Sequence, residues 1–167
     1  MTAPVSAPSR PFPGSALLHP LVLGALALLI INDHVLKAHW PSWWTGKLSD
    51  LAGLAMFPLV LQGLWEHAAA RGERAFRPSR AVLMGCVLLT GLCFTAIKVS
   101  VLAGTGWQWG LGLLQWPLRL LQALFAGSRL PPVLPVAHTF DLTDLFTLPA
   151  LLGSLKVGWR RGAENSG

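Results

Sequence analysis

The feature that most constrains this chain is the grouping of its apolar residues into blocks of about 16 to 22, the length at which a helix rising 1.5 Å per residue crosses the roughly 30 Å hydrocarbon core of a bilayer. Four blocks read as spans, over residues 16–36, 48–65, 81–102 and 142–157. Of the 167 residues 53% are hydrophobic and only 12% charged, against roughly one quarter charged in an ordinary soluble domain. A soluble fold of this composition has too little polar surface to face water. The expected class is all-α: a polytopic membrane protein with a single helical domain over residues 16–159. Residues 1–15, rich in Pro, Ala and Ser with Arg10, read as a disordered cytoplasmic tail, and residues 160–167 as a second tail. The first block is not read as a signal peptide. It runs into Asn32, Asp33, His34 and Lys37 instead of a small-x-small cleavage site, and further spans follow.

The formal charge of +6 does not point to nucleic acid, because the arginines sit in short segments beside apolar blocks, where the positive-inside rule accounts for them. With four spans, Arg10, the loop arginines Arg71, Arg74, Arg77 and Arg80, and Lys156, Arg160 and Arg161 share one side. Lys37, Lys47, Lys98, Arg119 and Arg129 fall on the other. Eight against five places both termini in the cytoplasm of a bacterial inner-membrane protein. Six of the eight tryptophans (Trp40, Trp43, Trp44, Trp107, Trp109, Trp116) then fall on the outer side, as an interfacial belt. Cys86 and Cys93 are seven residues apart in one expected helix, about 10 Å along its axis, too far for a mutual disulfide.

Between the third and fourth blocks, Gln108, Gln115, Arg119, Gln122 and Arg129 recur at helical spacing opposite Leu113, Leu114, Leu118, Leu121 and Phe125. This pattern predicts an interfacial or re-entrant amphipathic helix over residues 107–126, interrupted near Pro117. Gly104, Gly106, Gly110 and Gly112 read as flexible backbone in an apolar, turn-rich loop. Pro58 is expected to kink the second span.

An internal echo links the second and fourth spans. Lys47-Leu48-Ser49-Asp50-Leu51-Ala52-Gly53-Leu54 aligns without gaps with Asp141-Leu142-Thr143-Asp144-Leu145-Phe146-Thr147-Leu148, sharing a hydroxyl residue before an aspartate at the outer start of a helix. Two tandem hairpins related by an axis along the membrane normal produce such a pattern.

The ionisable residues gather at the expected outer ends. Candidate site residues are Asn32, Asp33, His34, Lys37, Lys47, Ser49, Asp50, Lys98, Asp141, Thr143 and Asp144, with His39 and His138 nearby. Charges at membrane depth cost about 2.5 kcal/mol or more each on insertion scales, so they tend to face a bundle interior and pair. A structural reading explains much of the cluster. Asp33 and Lys37 at i, i+4 and Lys47 and Asp50 at i, i+3 form local pairs, while Thr45, Ser49 and Asp141 serve as helix caps. As a functional pocket it admits three chemistries. The lysines, with Arg119, bind the phosphate or carboxylate of an anionic lipid or lipid-linked molecule; Asp50 and Asp144 form a proton or cation path; or the histidines join the aspartates around a divalent metal. No metal-ligand spacing, nucleophile elbow, phosphate loop or dinucleotide fingerprint is present in the sequence. The leading expectation is a non-enzymatic protein of the lipid bilayer, with no metal or other cofactor and no nucleic-acid partner, that binds an envelope lipid or another anionic partner. A proton- or cation-coupled small transporter or channel is the alternative, followed by a membrane-embedded lipid-modifying enzyme.

The runs Asn32-Asp33-His34-Val35-Leu36-Lys37 and Thr45-Gly46-Lys47-Leu48-Ser49-Asp50-Leu51-Ala52-Gly53-Leu54 resemble a family of small bacterial multi-pass membrane proteins, a resemblance that implies no particular activity. The layout is also distantly similar to VanZ-like proteins, linked to glycopeptide-antibiotic tolerance, in its short spans and a final helix opened by Asp-x-x-Asp. Those proteins usually carry Asn and Gly after the second acid, where this chain has Leu148 and Leu151. No catalytic residue carries over.

Overall fold

A computed structural model of the chain describes residues 12–70, 78–137 and 139–163. Among these every regular element is helical. Most of the N-terminal tail, Arg71, Arg74 and Arg77 of the basic loop, His138 and the last four residues lie outside them.

The first block does not begin as a helix at residue 16. Ser15–Leu18 makes a 3-10 turn, and α1 (Pro20–Ile31) starts at a proline, whose missing N–H costs nothing in the first turn. The His19 ring caps it, Nδ1 accepting from the Leu21 N–H at 3.1 Å. The chain then widens into a π-helical turn, Asn32–Leu36, and ends with one α-turn, Lys37–His39.

Helix α2 (Trp43–Ala69) starts five residues before the expected 48. The Thr45 hydroxyl accepts from the Ser42 N–H and donates to the Ser42 carbonyl, which closes its first turn. It continues through Pro58. The proline has no N–H for the Leu54 carbonyl; the buried Ser154 hydroxyl lies 3.0 Å from Leu54 O and 2.7 Å from Ala55 O, so its one O–H is shared between the two carbonyls.

Helix α3 is Arg80–Val99. Pro20–His39, Trp43–Ala69 and Arg80–Val99 are three helices long and apolar enough to cross a membrane. The fourth block takes a different form: a 3-10 helix, Leu142–Ala150, followed by α5, Leu151–Ala163. Pro149 cannot donate and disfavours α geometry at Leu148, in keeping with the tighter winding before it.

The chain divides into two compact units, Met1–Gly91 with Thr147–Gly167, and Leu92–Phe146. In the first, α1 and α2 are antiparallel, Asn32 meeting Thr45 at one end and Gly14 meeting Glu66 at the other. Ala16, Val22, Leu59, Leu83 and Val157 form the buried core. At Gly158 a Cβ would come within 2.7 Å of Leu83, so glycine permits that close approach. Arg80 lies 4.7 Å over the Trp159 ring, a cation–π contact.

The second unit contains α4 (Val101–Phe125), longer than expected and passing through Pro117 without interruption. The segment after it returns along one face of the helix. The Val136 N–H donates to Gln108 O at 3.0 Å, and Trp116 Nε1 to Pro131 O at 2.9 Å. Phe140 covers Gly104 and the Leu134 carbonyl covers Gly112, so closely that a Cβ at either would collide. Gly104, Gln108, Gly112 and Trp116 are spaced by four. Gly104 thus admits the Phe140 ring and Gly112 the Leu134 backbone, and all four glycines, Gly106 and Gly110 included, are helical positions, which corrects their reading as flexible loop.

Candidate functional site

The polar end of the first unit is built around Asn32, wholly buried at the start of the π-helical turn. Such turns inside α-helices frequently accompany functional positions. Asn32 Nδ2 donates to Thr45 O at 2.6 Å and to Ser49 Oγ at 2.7 Å. A backbone carbonyl only accepts, so the amide nitrogen must face Thr45 and the orientation is fixed. The buried Asn32 Oδ1 is left without a hydrogen-bond partner.

Ser49 relays this arrangement outward, donating to Asp33 Oδ1 at 2.7 Å. Lys37 Nζ reaches the same oxygen at 2.7 Å. The Lys37 and Asp33 side chains are 40% and 42% exposed, so the pair stands at the rim. Ser49 lies well inside α2, and its hydroxyl bridges two helices instead of capping one. His34 is exposed. Lys47 Nζ lies 4.4 Å over the Trp43 ring, and Asp50 is half-buried on α2.

The remaining candidates belong to the second unit. Lys98, in the last turn of α3, donates to Asp144 Oδ2 at 2.6 Å, both side chains at most 10% exposed. The Asp141 carboxylate accepts from the Thr143 N–H at 2.8 Å and its hydroxyl at 2.7 Å, and so caps the 3-10 helix. The two hydroxyl–aspartate elements of the internal echo thus behave differently: Ser49 bonds across to α1, Thr143 within its own turn. Among the described residues no three of His, Cys, Asp and Glu gather as a metal site.

A second buried centre, at the opposite end of the α1–α2 hairpin, lies outside the candidate residues. Glu66, 2% exposed, accepts from the Gly14 N–H at 2.8 Å and from Gln62 Nε2 at 2.9 Å. One Arg161 nitrogen reaches both carboxylate oxygens at 3.0 Å, and the other reaches Phe12 O at 2.8 Å. Gln62 Oε1 is buried without a hydrogen-bond partner. The available signal was Gln62 and Glu66 at i, i+4 in an otherwise apolar stretch, both on the face of α2 that carries Leu59.

No family model matches the chain, and neither a curated protein nor a solved structure matches it.

Proposed function

We propose that the chain is a multi-pass protein of the bacterial inner membrane, both termini cytoplasmic, whose outward polar end binds the headgroup of an envelope lipid. The observation that carries this reading is the buried Asn32 Oδ1 without a donor, beside a rim-exposed Asp33–Lys37 pair. An orphaned buried acceptor costs about 1–3 kcal/mol, and a functional position is one place where such a cost is retained. Lys37 uses one of its three donors on Asp33 and offers the others to a phosphate. Trp40, Trp43 and Trp44, all exposed, belong at the headgroup level.

The Leu142–Ala163 region serves as the fourth crossing in this topology. Nine residues at about 2.0 Å and thirteen at about 1.5 Å make about 37 Å of helix, enough for a hydrocarbon core of about 30 Å. Helix α4 lies in the outer interface with Leu114, Leu118, Leu121 and Phe125, all exposed, toward the acyl chains. Cysteine-accessibility labelling tests the orientation. A cytoplasmic Arg74→Cys and a periplasmic Trp44→Cys are expected, and the reverse overturns it.

Native mass spectrometry with phosphatidylglycerol and phosphatidylethanolamine tests the binding. Replacing Lys37 and Lys47 together by Gln is expected to weaken retention about tenfold; unchanged retention of both lipids removes the reading. The buried Lys98–Asp144 pair favours a second one, proton- or cation-coupled transport, since buried carboxylates mark proton paths. Vesicles with equal flux for wild type, Asp50→Asn and Asp144→Asn exclude it.

A further inference from the structure

An open groove of about 330 Å³ runs along the first unit, lined by Leu21, Gly24 and Leu28 of α1, Ala52 and Ala55 of α2, and Gly153 of α5. We infer that it holds one acyl chain of the lipid whose headgroup the Asn32–Asp33–Ser49–Lys37 end binds. The inference rests on the headgroup reading and adds the part of the ligand that the polar residues do not explain.

Position comes first. Leu28 is one helical turn from Asn32 on the same face of α1, and Ala52 is one turn from Ser49 on the same face of α2. The groove therefore leads away from the polar end into the depth of the two spans, where its surroundings are lipid. Its lining has no charged residue. Small residues leave the space empty: a Cβ on Gly24 would meet nothing within 4 Å, and one on Gly153 would make only ordinary contact with Leu21 at 3.6 Å.

Size selects the occupant. The volume is at the lower end of the about 300–1,000 Å³ typical of ligand sites. The groove begins one turn from Asn32 and Ser49, so a headgroup held there delivers a single alkyl chain into it, whereas a helix of a second copy, about 10–12 Å across with its side chains, is not contained by a space of this size. The groove is assigned one chain, and the second stays in the bilayer. A lysophospholipid, with one chain, is then as good a ligand as its diacyl parent.

The test uses the full chain in mild detergent, with phosphatidylglycerol, phosphatidylethanolamine and lysophosphatidylethanolamine followed by native mass spectrometry. Gly24→Leu, which fills the groove, is expected to weaken retention of all three about tenfold, with lysophosphatidylethanolamine binding the wild type as tightly as phosphatidylethanolamine. Lys37→Gln reports the headgroup separately. Loss with Gly24→Leu but not Lys37→Gln keeps the groove and discards the headgroup reading, and the opposite pattern overturns the groove. A lipid-free dimer of wild type that Gly24→Leu dissolves overturns it too, by making a second copy the occupant. A diazirine-bearing acyl chain on wild-type protein gives a readout independent of any variant: adducts within residues 21–28, 51–55 and 150–153 are expected, and adducts confined to other segments refute the inference.

Discussion

The Ser154 hydroxyl sits 3.0 Å from the carbonyl of Leu54, the acceptor that Pro58 leaves without its helical donor. A proline in a membrane helix is tolerated where a neighbouring helix re-satisfies the freed backbone group, and α5 does so here from a residue with no exposed surface. Ser154→Ala is expected to destabilise the fold by about 0.6–1.7 kcal/mol, the range of interhelical hydrogen bonds in membrane proteins. The dependence on Pro58 is the sharper check. In a Pro58→Ala background the restored N–H satisfies Leu54 O, so the serine substitution should cost less, and denaturant titration in mixed micelles measures the difference. Equal costs in both backgrounds would show that Ser154 acts through Ala55 O, 2.7 Å away, or through packing, and not by replacing the donor that Pro58 lacks.

The Glu66–Arg161 pair ties the start of the described chain to its last helix, with Gly14 and Phe12 joined to the same two side chains. Removing one partner of a buried pair leaves the other charge uncompensated and costs about 3–5 kcal/mol. Glu66→Gln and Arg161→Gln should therefore both loosen the segment around Phe12 and Gly14. Limited proteolysis reads this directly, as faster cleavage near Phe12 in each variant than in wild type. Unaltered cleavage rates would show that the segment is held by its other contacts, such as Leu17 against Gly63.

Glycines of similar appearance in α4 should respond in opposite ways. At Gly112 an added Cβ meets the backbone carbonyl of Leu134, which cannot move without displacing the returning segment, while at Gly110 it meets nothing within 4 Å. Gly112→Ala is expected to cost about 1–3 kcal/mol through overpacking. Gly110→Ala should be neutral or stabilising by up to about 1 kcal/mol, because alanine favours helix. Hydrogen exchange at Val136, whose N–H donates to Gln108 O, should quicken only in the first variant. Similar exchange in both would mean that the segment does not depend on the close approach.

These glycines mark where the sequence ceases to be readable. The three helices long and apolar enough to cross a membrane follow from the length of the apolar blocks, and the Asp33–Lys37 pair from its i, i+4 spacing. Local rules reach that far because each involves one helix. Ser49 reads as a cap because it precedes an aspartate near the start of an apolar run, but α2 begins at Trp43 and brings its hydroxyl against α1. Gly112 looked like loop for the same reason: its partner, Leu134, is distant in sequence. The Glu66 centre combines residues from Phe12 to Arg161, and only the Gln62–Glu66 spacing hinted at it. Long-range pairing decides what a polar residue in an apolar chain does, and helical periodicity does not encode it.

The Lys98–Asp144 pair separates stability from transport. Both side chains are almost fully buried, and the ammonium is also 5.4 Å from the Phe94 ring. Desolvation of the two charges offsets much of their attraction, so replacing both by apolar residues of similar volume is often neutral or stabilising, whereas losing one costs about 3–5 kcal/mol. Lys98→Met and Asp144→Leu should each destabilise strongly, and the double variant should recover most of the loss. A double variant as unstable as either single one would show that further partners of these residues, and not their mutual attraction, hold the site. If the pair only joins the end of α3 to the 3-10 helix, the recovered double variant behaves as wild type in lipid retention and in vesicle flux. If Asp144 carries a proton or cation, the same variant is folded and has lost flux.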